Sequence, residues 1–245
     1  MRRERCGLCW WGAISALSLI AMLLLAADIV FAAARVPLPR PRPGTNVPPA
    51  IAMPEAPQSD PDCASRLATL AVIEQLPAIK GPGACWADDV VRLVSIASTA
   101  AGRIKVTPPA VLRCGMAEAL VHWVKEASDT AMRDFSAVIT GISTATSFDC
   151  RGQNRVSTAK LSQHGLANAA DVRALTFKNG KTLALTDPGA SMHMRTSLHD
   201  AACQRFTTVL GPGSDGYHED HIHLDLAHRR SGYRICQWDV RGPPE

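Results

Sequence analysis

The stretch HIHLDL (221–226) alternates polar and apolar side chains at every position. Because successive side chains of a β-strand point to opposite faces, the three apolar residues would lie together against a core. The opposite face would then carry His221, His223 and Asp225 side by side. Strands with one apolar and one polar face are typical of antiparallel sheets, so the segment predicts both a strand and a cluster of potential ligands.

A second stretch, SQHGLANAADV (162–172), places His164 seven residues before Asp171 with mostly small residues between them. A loop with so few bulky side chains can turn back, so that both groups reach one ion. Zinc accepts imidazole nitrogen and carboxylate oxygen, and a catalytic zinc keeps one position for water. We therefore expect His164 and Asp171 to form one zinc site together with histidine from the 221–226 strand.

Apolar spacing along the rest of the chain predicts a mixture of helices and strands. Helices are expected over residues 63–76, about 110–135 and 196–210. Strands are expected over residues 137–142, 170–177, 181–185 and 221–226. The order is mixed and shows no repeated βαβ unit, so the pattern favours an α+β fold with an antiparallel sheet core and flanking helices.

Residues 1–34 combine the basic start MRRER with an apolar run from about Cys9 to Ala34. Such a segment is either a cleaved signal peptide or a membrane anchor, since roughly 20 apolar residues span a bilayer. Both alternatives export the rest of the chain, which predicts a location in the periplasm or cell envelope. Residues 35–59 are rich in proline and predict an extended spacer, so the folded domain is expected over residues 60–245.

The cysteines agree with export. Six lie in the expected folded domain, namely Cys63, Cys85, Cys114, Cys150, Cys203 and Cys236. An even number of cysteines in an exported domain is typical of a disulfide framework, here with fifteen possible connectivities. We expect pairing between sequence neighbours. None of the six forms a CxxC pair, which disfavours a cysteine zinc site.

The composition excludes several classes of protein. Charged residues make up 20% and apolar residues 47% of the chain, which speaks against a disordered chain and against a multi-span membrane protein. The net charge of +4 is mild, and the basic residues are scattered. We therefore expect no nucleic-acid partner.

The two ligand-rich stretches resemble a known motif. They read SxHxxxxAxD, with Ser162, His164, Ala169 and Asp171, and HxxHxH, with His218, His221 and His223. This combination resembles the zinc peptidases that cut D-alanyl peptides, which include D-alanyl-D-alanine carboxypeptidases and penicillin-insensitive murein endopeptidases. The region from about Cys63 to Cys236 is similar to the bacterial extensin-like C-terminal domain family. The resemblance implies a fold like that of the D-alanyl-D-alanine peptidase and hedgehog domains.

The resemblance also implies which residues bind the metal. By position in the motif, the zinc ligands are His164, Asp171 and His223. One residue departs from the peptidase pattern, because Ala167 stands where those peptidases usually have glycine. The path of this loop is therefore the part of the site for which the resemblance is weakest.

Further roles follow from the same comparison of motifs. Asp220, three residues before the last ligand, matches an acid that serves as general base in related peptidases. His221 and His218 match histidines placed beside the metal. Arg151 stands near the position of an arginine in the relatives, where it would clamp a peptide carboxylate or stabilise an oxyanion.

These expectations combine into two alternatives for function. The first is an exported zinc-dependent peptidase that hydrolyses bonds in peptidoglycan stem peptides or cross-links, as an endopeptidase or a carboxypeptidase. The second is a non-catalytic, zinc-containing cell-wall-binding domain. The presence of Asp220, His221 and His218 favours the enzyme, because a binding site would not require them.

Overall fold

The structure, a computed structural model, describes residues 60–241. This part of the chain consists of a large sheet with helices packed on it. The helices are α1 (Cys63–Leu70), α2 (Cys114–Phe135) and α3 (Met192–Arg205). The strands are β1 (Ala71–Gln75), β2 (Ile79–Lys80), β3 (Trp86–Ala87), β4 (Val90–Ser98), β5 (Gly102–Arg113), β6 (Ile139–Thr146), β7 (Ala169–Phe177), β8 (Thr182–Ala184), β9 (Thr208–Leu210), β10 (Ile222–Asp225) and β11 (Ile235–Gln237). The predicted export segment and spacer, residues 1–34 and 35–59, lie outside the described residues.

Within the described residues, the main sheet has the strand order β1-β4-β5-β6-β7-β10-β9-β11, and β8 pairs with the C-terminal half of β7. Most neighbours are antiparallel, whereas β5 with β6 and β9 with β11 are parallel. The short strands β2 and β3 form a separate pair. The prediction of an α+β fold with a mostly antiparallel sheet is confirmed.

The long helix α2 supplies much of the core. Its stripe of Met116, Leu120, Trp123 and Val124 is fully buried, as helical spacing of apolar residues requires. Each such side chain contributes about 1.5–3 kcal/mol by leaving water. The indole Nε1 of Trp123 donates a hydrogen bond to the carbonyl of Leu198 at 3.0 Å, which joins α2 to α3.

All three predicted helices exist, but their predicted limits were wrong. Residues 71–75 leave α1 and pair with β4, and residues 110–113 are the end of β5 rather than the start of α2. Helix α3 begins at Met192 and ends at Arg205, and residues 208–210 form β9 against β10. In each case pairing with a neighbouring strand outweighs local helix propensity.

The six cysteines of the described residues form disulfides, as predicted, but the expected pairing was wrong for two of the bonds. The pairs are Cys63–Cys114, Cys85–Cys150 and Cys203–Cys236, so that only the last joins sequence neighbours. The first two bonds interleave along the sequence. Pairing of β1 with β4, and of β4 with the end of β5, brings Cys63 beside Cys114 at the start of α2.

No helix between residues 60 and 241 is long and apolar enough to span a membrane.

Candidate metal centre

The strand register brings two of the predicted ligands together. Strands β10 and β7 are antiparallel, and His223 lies directly opposite Asp171. Directly opposed residues have Cβ atoms about 5 Å apart, close enough for their side chains to meet at one ion. On the other face of β10, Ile222 and Leu224 are fully buried in the core, as the alternation of the sequence predicts.

A short turn delivers His164 to the same place. Residues 163–166 form a single 3₁₀ turn, in which the hydroxyl of Ser162 accepts a hydrogen bond from the His164 amide. The turn ends at Ala167, whose φ of 52° is left-handed. Glycine adopts this conformation without strain, which explains why glycine suits this position in the peptidase pattern. Here Ala167 adopts the same left-handed conformation.

Arg113, at the end of β5, anchors this turn to the sheet. Its buried guanidinium donates from Nε to the carbonyl of Leu166, and its amide donates to the carbonyl of Ala167. The same guanidinium pairs with Asp88 and Asp89. The residues after His164 are thereby fixed to the body of the domain.

The three predicted ligand atoms converge on one point. His164 Nε2 lies 3.1 Å from Asp171 Oδ1 and 3.2 Å from His223 Nδ1, and His223 Nδ1 lies 3.0 Å from Asp171 Oδ1. All three residues are buried. Ligands of a tetrahedral zinc at about 2.0–2.1 Å are about 3.3 Å apart, so the three atoms are spaced close to the corners of such a site.

The other nitrogen of each imidazole determines which nitrogen carries the proton. His164 Nδ1 lies 2.6 Å from the carbonyl of Ser147, which can only accept, so the neutral ring keeps its hydrogen there. His223 Nε2 lies 3.1 Å from a carboxylate oxygen of Asp225 in the same way. The two remaining nitrogens therefore direct lone pairs at the Asp171 carboxylate. Three acceptors that meet in this way fit a cation.

The electrostatics of these side chains agree with this geometry. Although burial disfavours its charged form, the hydrogen bonds that His164 and His223 donate when their rings carry a second proton hold the pKa of Asp171 far below its usual range. Burial also opposes a charged His223, but its hydrogen bonds to Asp171 and Asp225 raise the pKa of His223 to about 9. A proton on His223 thus supplies a positive charge at the point where the three side chains meet.

His221 lies between Asp220 and the triad formed by His164, Asp171 and His223. Its Nε2 lies 3.7 Å from Asp171 Oδ1, and its Nδ1 lies 2.7 Å from Asp220 Oδ1. Asp220 is exposed and also accepts a hydrogen bond from Arg173 at 3.1 Å. The hydrogen bond with His221, more than the charge of Arg173, lowers the pKa of Asp220. The sequence predicts Asp220 as a base, and the structure gives it a histidine as its contact.

His218 forms a second histidine–carboxylate pair. Its Nδ1 lies 2.7 Å from Asp215, and its ring lies 5.5 Å from that of His223 and 5.1 Å from that of His221. Burial lowers the pKa of His218, although the bond to Asp215 acts in the opposite direction. The ring is therefore a neutral imidazole at neutral pH.

Arg151 completes the predicted set. Its Nε donates to Asp149 at 2.9 Å, and its Nη2 lies 4.0 Å from Asp171 Oδ2. The structure thus places three of the other four predicted site residues beside the triad, and it places Asp220 beyond His221. Sequence reasoning missed Asp215, Asp149 and Arg173; the spacing of three between Asp215 and His218 was a signal for the first of them.

Two hollows flank the triad among the described residues, and both open to solvent. The β9-side hollow, about 230 Å³, is bordered by His164, His223, Thr208 and Leu210. The β7-side hollow, about 190 Å³, is bordered by Asp171, Arg173, Tyr217 and His221. Arg151, Asn154 and His218 border both, so the candidate metal centre lies on the divide between them.

Another group of potential metal ligands lies outside this site. His199 Nε2 is 3.5 Å from the sulfur atoms of both Cys203 and Cys236. The two sulfurs form a disulfide, so they are not available as thiolate ligands.

Comparisons with known proteins identify the family of the chain. A search of curated proteins and a search of solved structures each returned no match. Residues 61–237 match the family described as Extensin-like protein C-terminus, and the chain therefore belongs to that family.

Proposed function

We propose that the protein is a zinc-dependent peptidase that cleaves peptide bonds of peptidoglycan stem peptides or cross-links. The observation that carries the proposal is the convergence of three acceptor atoms, from His164, Asp171 and His223, beside an open cleft. Two nitrogens and one carboxylate oxygen fit zinc in both type and spacing, and three protein ligands leave a position open. When bound, zinc would supply Lewis acidity, which polarises a carbonyl and makes a water more acidic.

In this proposal, the Asp220–His221 pair moves the proton. His221 Nε2 faces the centre, within reach of a water there, while Asp220 accepts the Nδ1 hydrogen. The carboxylate holds the ring in one tautomer and stabilises the imidazolium that forms when the ring takes a proton. The role that the sequence assigns to Asp220 is thus exerted through His221.

His218 and Arg151 act on the substrate side of the cleft. The neutral His218 ring, held at Nδ1 by Asp215, presents a lone pair on Nε2, so it is a second group that can take a proton from the attacking water and then pass it to the leaving amine. Arg151 borders both hollows, where its guanidinium stabilises negative charge on the carbonyl oxygen under attack.

The substrate class and the finer fold assignment are supported by the motif. The spacing SxHxxxxAxD with HxxHxH resembles that of zinc peptidases acting on D-alanyl peptides, and the proposed fold is of the same kind as theirs and as hedgehog domains. Residues 1–34 support export to the periplasm or cell envelope, with the segment either removed or kept as an inner-membrane anchor.

A second candidate is a zinc-containing wall-binding domain without turnover. The observation that favours it is the exposed ion pair of Asp220 with Arg173, which engages the carboxylate that the motif assigns to catalysis. A binding domain would sediment together with peptidoglycan and would release no peptide fragments from it.

Digestion of purified peptidoglycan tests the proposal. The disulfide-bonded protein is incubated with the wall as prepared, after chelation and after zinc restoration, and mass spectrometry identifies the released fragments. We expect fragments only when zinc is present. Release that survives chelation would contradict a metal-dependent reaction, and wall binding without release would favour the second candidate.

Variants separate the metal from the proton transfer. We expect His223→Gln to lose zinc and release, and His221→Gln to keep zinc while release falls at least about 100-fold, since general acid–base catalysis contributes 10²–10⁴-fold. His193→Gln is the matched control, because His193 is exposed and paired with Asp134. If His221→Gln released peptidoglycan fragments as fast as the native protein, His221 would not be the base.

A further inference from the structure

We propose that the centre cuts within a peptide chain rather than at its end, and that the β7-side hollow holds an acidic group of the chain. The proposal rests on the peptidase function above. It specifies two things which that function leaves open, the position of the scissile bond in the substrate and the charge of a neighbouring residue.

The position of the triad carries the first part. His164 and His223 border the β9-side hollow, whereas Asp171 and His221 border the β7-side hollow. A bond placed at the triad therefore has space on both sides, about 230 Å³ and about 190 Å³. An enzyme that removes a terminal residue needs space for one residue beyond the bond and a wall behind it.

The outer rim of the β7-side hollow has no such wall among the described residues. It is formed by Tyr217, Arg155 and Arg173, whose exposed fractions are 59%, 69% and 54%. A chain leaving the centre on this side continues past these side chains into solvent. The exposed Tyr217 ring gives it an apolar surface to lie on.

The distribution of charge carries the second part. The β7-side hollow is bordered by the guanidiniums of Arg151, Arg155 and Arg173, against the carboxylates of Asp171 and Asp220. Asp149 pairs with both Arg151 and Arg155, so three guanidiniums share two carboxylates besides that of Asp171. Asp171 is a proposed metal ligand, so its charge is already engaged, and the remainder is positive. Arginine forks bind carboxylates with two parallel hydrogen bonds, which selects an acidic group on the substrate.

The opposite hollow does not share this excess. There Arg151 and Arg229 face Asp215 and Asp225, so the charges balance. Arg229 is also held in place, since it donates to the carbonyl of Thr207 and the hydroxyl of Thr208. The two sides of the scissile bond therefore meet different electrostatic surroundings.

The backbone beside Arg155 is also unusual. Asn154 and Arg155 are consecutive non-glycine residues with left-handed φ angles of 52° and 60°. Such conformations are strained in residues other than glycine and persist where surrounding contacts impose them. Here the Asn154 amide donates to Asp215 at 3.4 Å, which links the two loops that border the cleft and places Arg155 on its rim.

The first experiment compares two substrates of the zinc-loaded protein, cross-linked muropeptide dimers and uncross-linked stem peptides. We expect dimers to become monomers with no free terminal amino acid released. Release of the terminal residue from intact dimers would overturn the proposal while leaving the peptidase function standing. If neither product forms, the peptidase function itself fails, and the inference with it.

The second experiment tests the charge, with binding as the readout. Calorimetry measures the affinity of the zinc-loaded His221→Gln protein for a peptide with a carboxylate beside the scissile bond and for the same peptide amidated there. We expect Arg173→Gln and Arg155→Gln each to weaken binding of the carboxylate peptide at least about fivefold and to leave the amide peptide unchanged. Arg92→Gln is the control, because Arg92 on β4 forms an exposed ion pair with Glu74 on β1, and β5 and β6 separate this pair from β7 in the sheet. Equal loss for both peptides, or no loss, would overturn the acidic subsite.

Discussion

At the scale of single residues, the candidate site depends on which ring nitrogen of each histidine carries hydrogen. The three side chains that converge could be predicted from the sequence, because His164, Asp171 and His223 fall in short motifs. The group that orients His164 could not, because it is the backbone carbonyl of Ser147, and every residue has such a carbonyl. Asp225 was predictable as a partner of His223, since alternate residues of a strand share a face.

This orientation gives a prediction for Asp225→Asn. The amide still accepts the His223 hydrogen, but it lacks the charge that makes the ring a strong ligand, so we expect zinc affinity to fall about 10-fold to 100-fold. Competition titration with a chromogenic chelator measures the change. Asp200→Asn is the matched control, because Asp200 forms the same kind of pair with His199 away from the triad. Equal affinities for all three proteins would show that Asp225 does not tune the ligand.

At the scale of secondary-structure elements, β5 shows why the limits of α2 were mispredicted. Residues 107–113 read TPPAVLR, and proline within a strand removes a ladder hydrogen bond, so the sequence argued against a strand there. The structure accommodates the prolines at an irregularity in the pairing of β4 with β5, between Leu93 and Ser95. Periodicity predicted the buried stripe of α2 correctly, but partner strands decided where the helix begins.

The 3₁₀ turn that carries His164 gives the second prediction. A Cβ added at Gly165 would lie 2.8 Å from Leu161 Cδ1 and 3.0 Å from Cys85 Sγ, whereas one added at Gly115 of α2 meets nothing within 4 Å. We expect Gly165→Ala to reduce the free energy of unfolding by about 1–3 kcal/mol and to weaken zinc binding. Gly115→Ala should raise the free energy of unfolding by up to about 1 kcal/mol and leave zinc binding unchanged. Urea unfolding and zinc titration measure both, and an unaffected Gly165→Ala protein would mean that the turn has room to move.

At the scale of the whole molecule, the disulfides hold the surroundings of the site in place. Cys85–Cys150 closes a separation of 65 residues, and Cys150 directly precedes Arg151. Cys203–Cys236 joins α3 to β11 beside the β9-side hollow. The sequence-based prediction of pairing between neighbouring cysteines was wrong for two of the three bonds, because cysteine spacing carries no information on which strands are neighbours. The β7–β10 register, between these bridges, positions the triad.

The whole molecule also predicts how stability depends on pH without metal. The folded-state pKa of His223 is raised to about 9 from its ordinary 6.5, so its proton stabilises the fold fully below pH 6.5, and this contribution is lost as pH rises through about 9. The shift corresponds to at most roughly 3 kcal/mol, or a fall in Tm on the order of 10 °C for a domain of this size. Zinc takes the place of the proton, so the zinc-loaded protein should show little loss in the same window. Thermal unfolding of chelated and zinc-loaded protein from pH 6 to 9.5 measures the difference, with chelated His223→Gln as the control that lacks the titrating ring. A chelated native protein with constant Tm across this window would show that no proton replaces the cation, and the convergence of three acceptors would then need another explanation.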